Sequence, residues 1–107
     1  MSGRVRVLVY ACDPGDDPGA VGRAYHRVSR DLAGVDGLLG NQLLRSVPQP
    51  DRFVVTSEWE SLAAFRAWEA GADHRETTAP LRPLQDGDRT GAFGLYEVAA
   101  EYRSTED

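Results

Sequence analysis

The 107-residue sequence has no lysine, no isoleucine and a single cysteine, Cys12. All twelve of its basic residues are arginine. Without lysine the chain has no side-chain amine for a Schiff base and no phosphate-gripping lysine of the P-loop kind. Lysine and isoleucine codons are AT-rich, so their joint absence points to a GC-rich genome, which bears on origin and not on chemistry. One cysteine can build neither an internal disulfide framework nor a thiolate zinc site. With only two histidines, His26 and His74, no HExxH occurs, and neither CxxC nor a helix-opening GxGxxG is present, so no metal is expected. No segment approaches the ~20 consecutive apolar residues of a membrane span. The first apolar run, after Met1-Ser2-Gly3-Arg4, is too short and too interrupted by arginine for a signal peptide. A formal net charge of -5 argues against nucleic acid, which rewards basic faces. The expectation is a soluble cytoplasmic protein with no membrane and no nucleic-acid partner.

What remains is an ordinary globular composition, 41% hydrophobic and 27% charged. At this length a single domain over 1–107 is expected, with its core from about 5 to 102 and a tail at 103–107, burying ~60–70% of its unfolded surface. Val5, Val7, Val9 and Ala11 alternate with Arg6, Leu8 and Tyr10, which is strand periodicity. Asp13-Pro14-Gly15-Asp16-Asp17-Pro18-Gly19 ends that strand in residues suited to turns and helix caps. The stripe Val21, Ala24/Tyr25, Val28, Leu32 then predicts a helix from Gly19 to Leu32. A second strand is expected over Leu38–Val47, a hairpin connection at Pro48–Asp51, and a third strand over Phe53–Trp59. Gly40, inside the second strand, suggests a bulge or a close backbone approach. Ser61 caps a second helix with the stripe Leu62, Phe65, Trp68. Asp73 opens a further turn over His74–Thr78, ended by Pro80 and Pro83, and a last strand runs from Phe93 to Tyr102. The order strand, helix, strand, strand, helix, strand is that of an α+β, ferredoxin-like fold, an antiparallel sheet with helices on one face. The other sheet face keeps apolar residues, which predicts a homodimer of two sheets packed face to face.

The segments Gly37-Leu38-Leu39-Gly40-Asn41-Gln42-Leu43-Leu44-Arg45, Asp51-Arg52-Phe53-Val54-Val55-Thr56-Ser57-Glu58-Trp59-Glu60-Ser61, Phe65-Arg66-Ala67-Trp68 and His74-Arg75 resemble the antibiotic biosynthesis monooxygenase family. The resemblance extends from Val5 to Tyr102. It implies a dimeric α+β barrel with a ligand cavity between sheet and helices in each subunit. The activity it implies is a monooxygenation, without metal or organic cofactor, of an aromatic polyketide or quinol-like molecule by O2. Cyclisation or isomerisation of a similar substrate, and a non-catalytic small-molecule-binding dimer, are the alternatives.

That resemblance also ranks residues. Trp59 matches a cavity-lining tryptophan, although a tryptophan there can equally be core with its N–H hydrogen-bonded. Val55 and Ser57 share its strand face. Val55 stands where the anthrone-oxygenase branch carries an asparagine, and Phe65 stands where that branch carries a tyrosine. Trp68 aligns with an aromatic residue of the haem-degrading branch, but that branch's iron-ligating histidine corresponds to Thr77 or Thr78 here, which disfavours haem. His74 is the candidate proton carrier, its alternative being a surface or capping histidine. His26, among Arg23, Arg27 and Arg30, is expected at the surface. Arg82, in Pro80-Leu81-Arg82-Pro83, is the candidate anion holder, with Arg45, Tyr10 and Tyr96 as further substrate-binding candidates; arginines in such positions are also ordinary ion-pair partners. Asn41 is the only asparagine, and the strand register is needed to orient it.

Overall fold

The computed structural model describes residues 3–71, 74–85 and 93–104, the side chains of His74 and Arg75 excepted. Strand β1 (Val5–Cys12) leads into helix α1 (Ala20–Leu32), then β2 (Leu38–Arg45) and β3 (Arg52–Trp59). Helix α2 (Leu62–Glu69), a turn α3 (His74–Thr78), a 3-10 helix (Ala79–Leu84) and β4 (Phe93–Glu97) complete the order. The sheet is antiparallel, in the order β2-β3-β1-β4. Its two central strands therefore come from different halves of the chain, the ferredoxin-like arrangement expected from the element order.

Helix α1 buries Ala20, Val21, Ala24, Val28 and Leu32, the three- and four-residue spacing of a single helical face. Its start is held from a distance, because the Asp13 carboxylate accepts hydrogen bonds from the Gly19 and Val21 backbone N–H groups at 3.0 and 2.8 Å. These satisfy donors that the helix itself leaves unpaired. Helix α2 starts at Ser61, whose hydroxyl accepts from the Ala64 N–H at 3.0 Å. The core forms where Val5, Val7, Trp59 and Phe65 meet beneath α2, and where Leu81 of the 3-10 helix joins Ala24, Val28 and Leu32.

Three expectations are corrected. Leu62 is 43% exposed; Ala64 takes its place on the buried side with Phe65 and Trp68, since α2 lies against Gly37, whose lack of a side chain lets it approach. The turn α3 ends at Thr78, ahead of the prolines, as expected, and the chain continues as a 3-10 helix. Pro80 and Pro83 lie inside the 3-10 helix, whose φ suits proline and whose short run lacks few bonds for the missing N–H. β2 stops at Arg45, because Ser46 turns the chain, donating its N–H to the Arg52 carbonyl while its hydroxyl accepts from the Gln49 N–H. β4 stops at Glu97 rather than Tyr102. It runs antiparallel past the start of β1, pairing Val5 with Glu97, and after one further bond from the Val98 N–H to the Arg4 carbonyl it has no strand beside it. Asp73 lies outside the described residues.

The pairing of β2 with β3 contains one irregularity. Leu38 faces Trp59 and Gly40 faces Glu58, so two steps on β2 match one on β3 and Leu39 is the extra residue of a bulge. Because side chains alternate along a strand, this insertion reverses the parity of everything after it. Asn41, Leu43 and Arg45 are thereby paired with Ser57, Val55 and Phe53 on the helix-covered side.

Candidate functional site

Between the sheet and the helices lies a cavity of about 300 Å³. Its floor is the covered sheet face, with Val7 and Val9 from β1, Val55, Ser57 and Trp59 from β3, and Asn41 from β2. Val28 and Leu32 of α1 form one side, Phe65 and Trp68 of α2 another, and Thr78, Leu81 and Arg82 complete the lining, Leu81 buried and Arg82 exposed. The size suits a small organic molecule, and the lining is mostly apolar with few polar groups, as binding pockets generally are.

The aromatic residues form a continuous wall. Trp59 is 1% exposed. Its ring centroid lies 5.2 Å from that of Trp68 with the planes 30° apart, and 5.5 Å from Phe65 edge-on. Phe65 in turn stacks on Phe93 of β4 at 6.4 Å. The Trp59 indole N–H donates to the Ser57 hydroxyl at 3.0 Å, two residues back on the same face of β3. Trp59 thus both borders the cavity and is core, with its N–H already engaged.

Arg82 is exposed and donates to the Thr78 hydroxyl at 3.1 Å, one helical turn before it. Glu69 also lines the cavity and accepts from Arg66 at 3.2 Å. His74 begins α3, four residues before Thr78; its side chain lies outside those described. His26 is exposed on α1, edge-on to the Tyr25 ring. A haem iron would need an axial imidazole, and the position resembling the haem-degrading branch's ligand is Thr77 or Thr78, with Thr78 at the cavity. The chain's described side chains do not fit that group. Among the described residues no three His, Cys, Asp or Glu side chains gather as a metal site would require.

The structure brings together Trp59, Val55, Ser57, Phe65, Trp68 and Arg82. It separates Tyr10, Tyr96 and Arg45 from them. Tyr10 pairs with Val54, and Tyr96 pairs with Arg6, which places both on the uncovered sheet face. Arg45 is on the covered side but beyond the cavity, its guanidinium 5.5 Å from the Phe53 ring centroid, a cation–π contact.

Sequence reasoning missed a polar group on the α1 side. Asn41 Oδ1 accepts from the Tyr25 hydroxyl at 2.5 Å and from the Ser29 hydroxyl at 3.2 Å, and all three side chains line the cavity. Tyr25 and Ser29 are four residues apart and so share a helical face, a signal present in the sequence. Asn41 could not be added to them without the bulge.

The family model for antibiotic biosynthesis monooxygenase matches residues 5–80. Protein SchA of Streptomyces halstedii is 34% identical over 101 residues, which is 94% of this chain and 27% of SchA. Polyketide synthase CurD of Streptomyces cyaneus is 33% identical over 72 residues, 67% of this chain and 19% of CurD. The matches therefore span less than a third of the length of these curated relatives. A crystal structure of a variant of SnoaB, a cofactor-independent oxygenase from Streptomyces nogalater, superposes with a TM-score of 0.77 at 20% identity, covering 95% of this chain and 99% of that one. At that identity the likeness speaks for the fold, while the family model covers most of the chain; the protein belongs to the antibiotic biosynthesis monooxygenase family.

Proposed function

We propose that the chain is a cofactor-independent monooxygenase domain whose substrate is a planar aromatic molecule, an aromatic polyketide or a quinol-like compound. The observation that carries this reading is the cavity of about 300 Å³ walled by Trp59, Phe65, Trp68 and Phe93. A flat aromatic ring can lie against that wall at the offset distances such rings favour. The names of polyketide synthase CurD and of the cofactor-independent oxygenase SnoaB support the same class of chemistry.

Oxygenation without a cofactor requires the substrate to supply the electrons. A ring CH2 next to a carbonyl, once deprotonated, becomes an electron-rich enolate that reduces O2. One oxygen atom ends as a new carbonyl and the other leaves as water with the two hydrogens lost from carbon. An apolar, water-poor pocket favours this by leaving the anion poorly solvated. In this reading Trp59, Phe65 and Trp68 hold the ring and Arg82 faces the developing negative charge. His74 carries the proton, a role to which an imidazole is suited. The uncovered sheet face, with Leu8, Tyr10, Val54, Leu44 and Tyr96, is the homodimer surface; a monomer at micromolar concentration by size-exclusion chromatography with light scattering would overturn that part.

The test is oxygen uptake by the chelator-treated protein, without added cofactor, on anthrones and naphthohydroquinones, corrected for spontaneous oxidation. Saturable uptake with one atom of 18O2 in the product carbonyl is expected, slowed in Trp68→Ala and His74→Ala. Wild-type rates in both variants would remove the assigned roles. Val55, apolar where the anthrone-oxygenase branch has asparagine, favours a second reading, cyclisation or isomerisation. Turnover that persists without O2 would establish it.

A further inference from the structure

We infer that Asn41, held by Tyr25 and Ser29, is the group that reads an oxygen acceptor on the ligand, so that the cavity selects aromatic molecules bearing a carbonyl or phenolate over bare hydrocarbons. This deepens the aromatic-pocket reading above and rests on it. The bulge at Leu39 aims Asn41 to the covered side of the sheet. There its carbonyl oxygen receives two hydroxyl donors, Tyr25 at 2.5 Å and Ser29 at 3.2 Å. With its oxygen turned to both hydroxyls, the amide directs its amino end away from them. The amino end is left without a partner among the described residues, on a side chain that lines the cavity. A carboxamide with its oxygen already engaged is a polarised donor, since hydrogen bonds in a chain strengthen one another.

The rest of the lining gives the donor its meaning. Val7, Val9, Val28 and Val55 offer a ligand oxygen nothing. The Trp59 N–H is already engaged by Ser57. Arg82 is exposed on the 3-10 helix rather than on the floor. An acceptor carried into the α1 side of the cavity therefore meets the Asn41 amino group, beside the hydroxyl of Ser57 that pairs with it across β2 and β3, while its ring faces the aromatic wall. A neutral amide suits a neutral carbonyl and binds its enolate or phenolate form more strongly, because hydrogen bonds to charged acceptors are the stronger ones.

Calorimetric titration of the full chain with 1,4-naphthoquinone and with naphthalene tests this, as the two differ in the acceptor oxygens and little in ring size. Wild type is expected to bind the quinone more tightly. Asn41→Leu, which keeps the volume and removes the donor, is expected to weaken the quinone by roughly ten- to a hundredfold and leave naphthalene within about twofold. Tyr25→Phe, a milder change should Asn41→Leu fold poorly, frees the amide to rotate and is expected to weaken the quinone alone, by a few-fold. Trp68→Ala is expected to weaken both probes together. Equal losses for both probes in Asn41→Leu, or an unchanged quinone affinity in both Asn41→Leu and Tyr25→Phe, would overturn the assignment while leaving the aromatic pocket standing. Failure of wild type to bind either probe would remove the pocket reading and this inference with it.

Discussion

Gly37 holds α2 against the loop that opens β2, and replacing it tests the packing beneath the aromatic wall. Its φ is 85°, a left-handed conformation that costs an L-residue about 1–2 kcal/mol. A Cβ built on it would lie 2.4 Å from the Ala64 Cβ and 3.5 Å from the Glu60 Cγ. The first contact is methyl against methyl on a capped helix, with no flexible chain to swing aside, so backbone must move; overpacking of this kind costs about 1–3 kcal/mol. Gly37→Ala is therefore expected to destabilise by about 2–5 kcal/mol in total. Gly34 provides the control. It has the same φ of 85° but nothing within 4 Å of a built Cβ, so Gly34→Ala carries only the conformational cost, about 1–2 kcal/mol. Urea unfolding at one fixed protein concentration should separate the two midpoints by on the order of 1 M. Ala64→Gly, placed in the Gly37→Ala background, removes the obstructing atom and should restore more than about 1 kcal/mol relative to additivity. Gly37→Ala no worse than Gly34→Ala, or a strictly additive double variant, would refute the close-packing argument.

Two further outcomes concern local structure and charge. Ser61→Ala removes the only side-chain cap on α2 and should destabilise by about 1 kcal/mol in denaturant melts; an unchanged midpoint would mean that water replaces the hydroxyl without loss. Arg4 joins the tail to the sheet by pairing with Glu101 and, at 2.8 Å, with Glu58. The hydrogen bond from Arg4 holds the Glu101 carboxyl below the usual carboxylate range. A folded-state pKa that is depressed contributes stability above the unfolded pKa and loses it as pH falls through the folded one. Wild type should thus exceed Glu101→Gln slightly at pH 6, and the two should converge as the pH drops below 4.5. The difference should shrink in 1 M salt, since both side chains are partly exposed. A gap that widens on acidification would reverse the assignment.

The architecture was legible because each half of the chain repeats one pattern. The period-two valines of β1, the three-four stripe of α1 and the Ser61 cap are local signals whose physics does not depend on distant residues. The errors fell where an element's limit is set by its neighbour. The end of β4 depends on where β1 begins, and the outward turn of Leu62 depends on Gly37 pressing against Ala64. The aromatic wall was legible in part. Trp59, Phe65 and Trp68 followed from strand and helix spacing, whereas Phe93 joined them only through the pairing of β4 with β1.

Sequence alone determined the elements, their order, and an inventory of side chains without lysine and with one cysteine, which leaves aromatic, hydroxyl, amide and guanidinium groups for the cavity. The tertiary structure decided which of those groups meet. Tyr10 and Tyr96 went to the uncovered face, Arg45 went onto Phe53, and Asn41 came inside. The last depends on one residue. Strand parity carries side chains to alternate faces, and only the pairing of β2 with β3 reveals that Leu39 is extra and that the single asparagine of the chain lies under Tyr25 and Ser29.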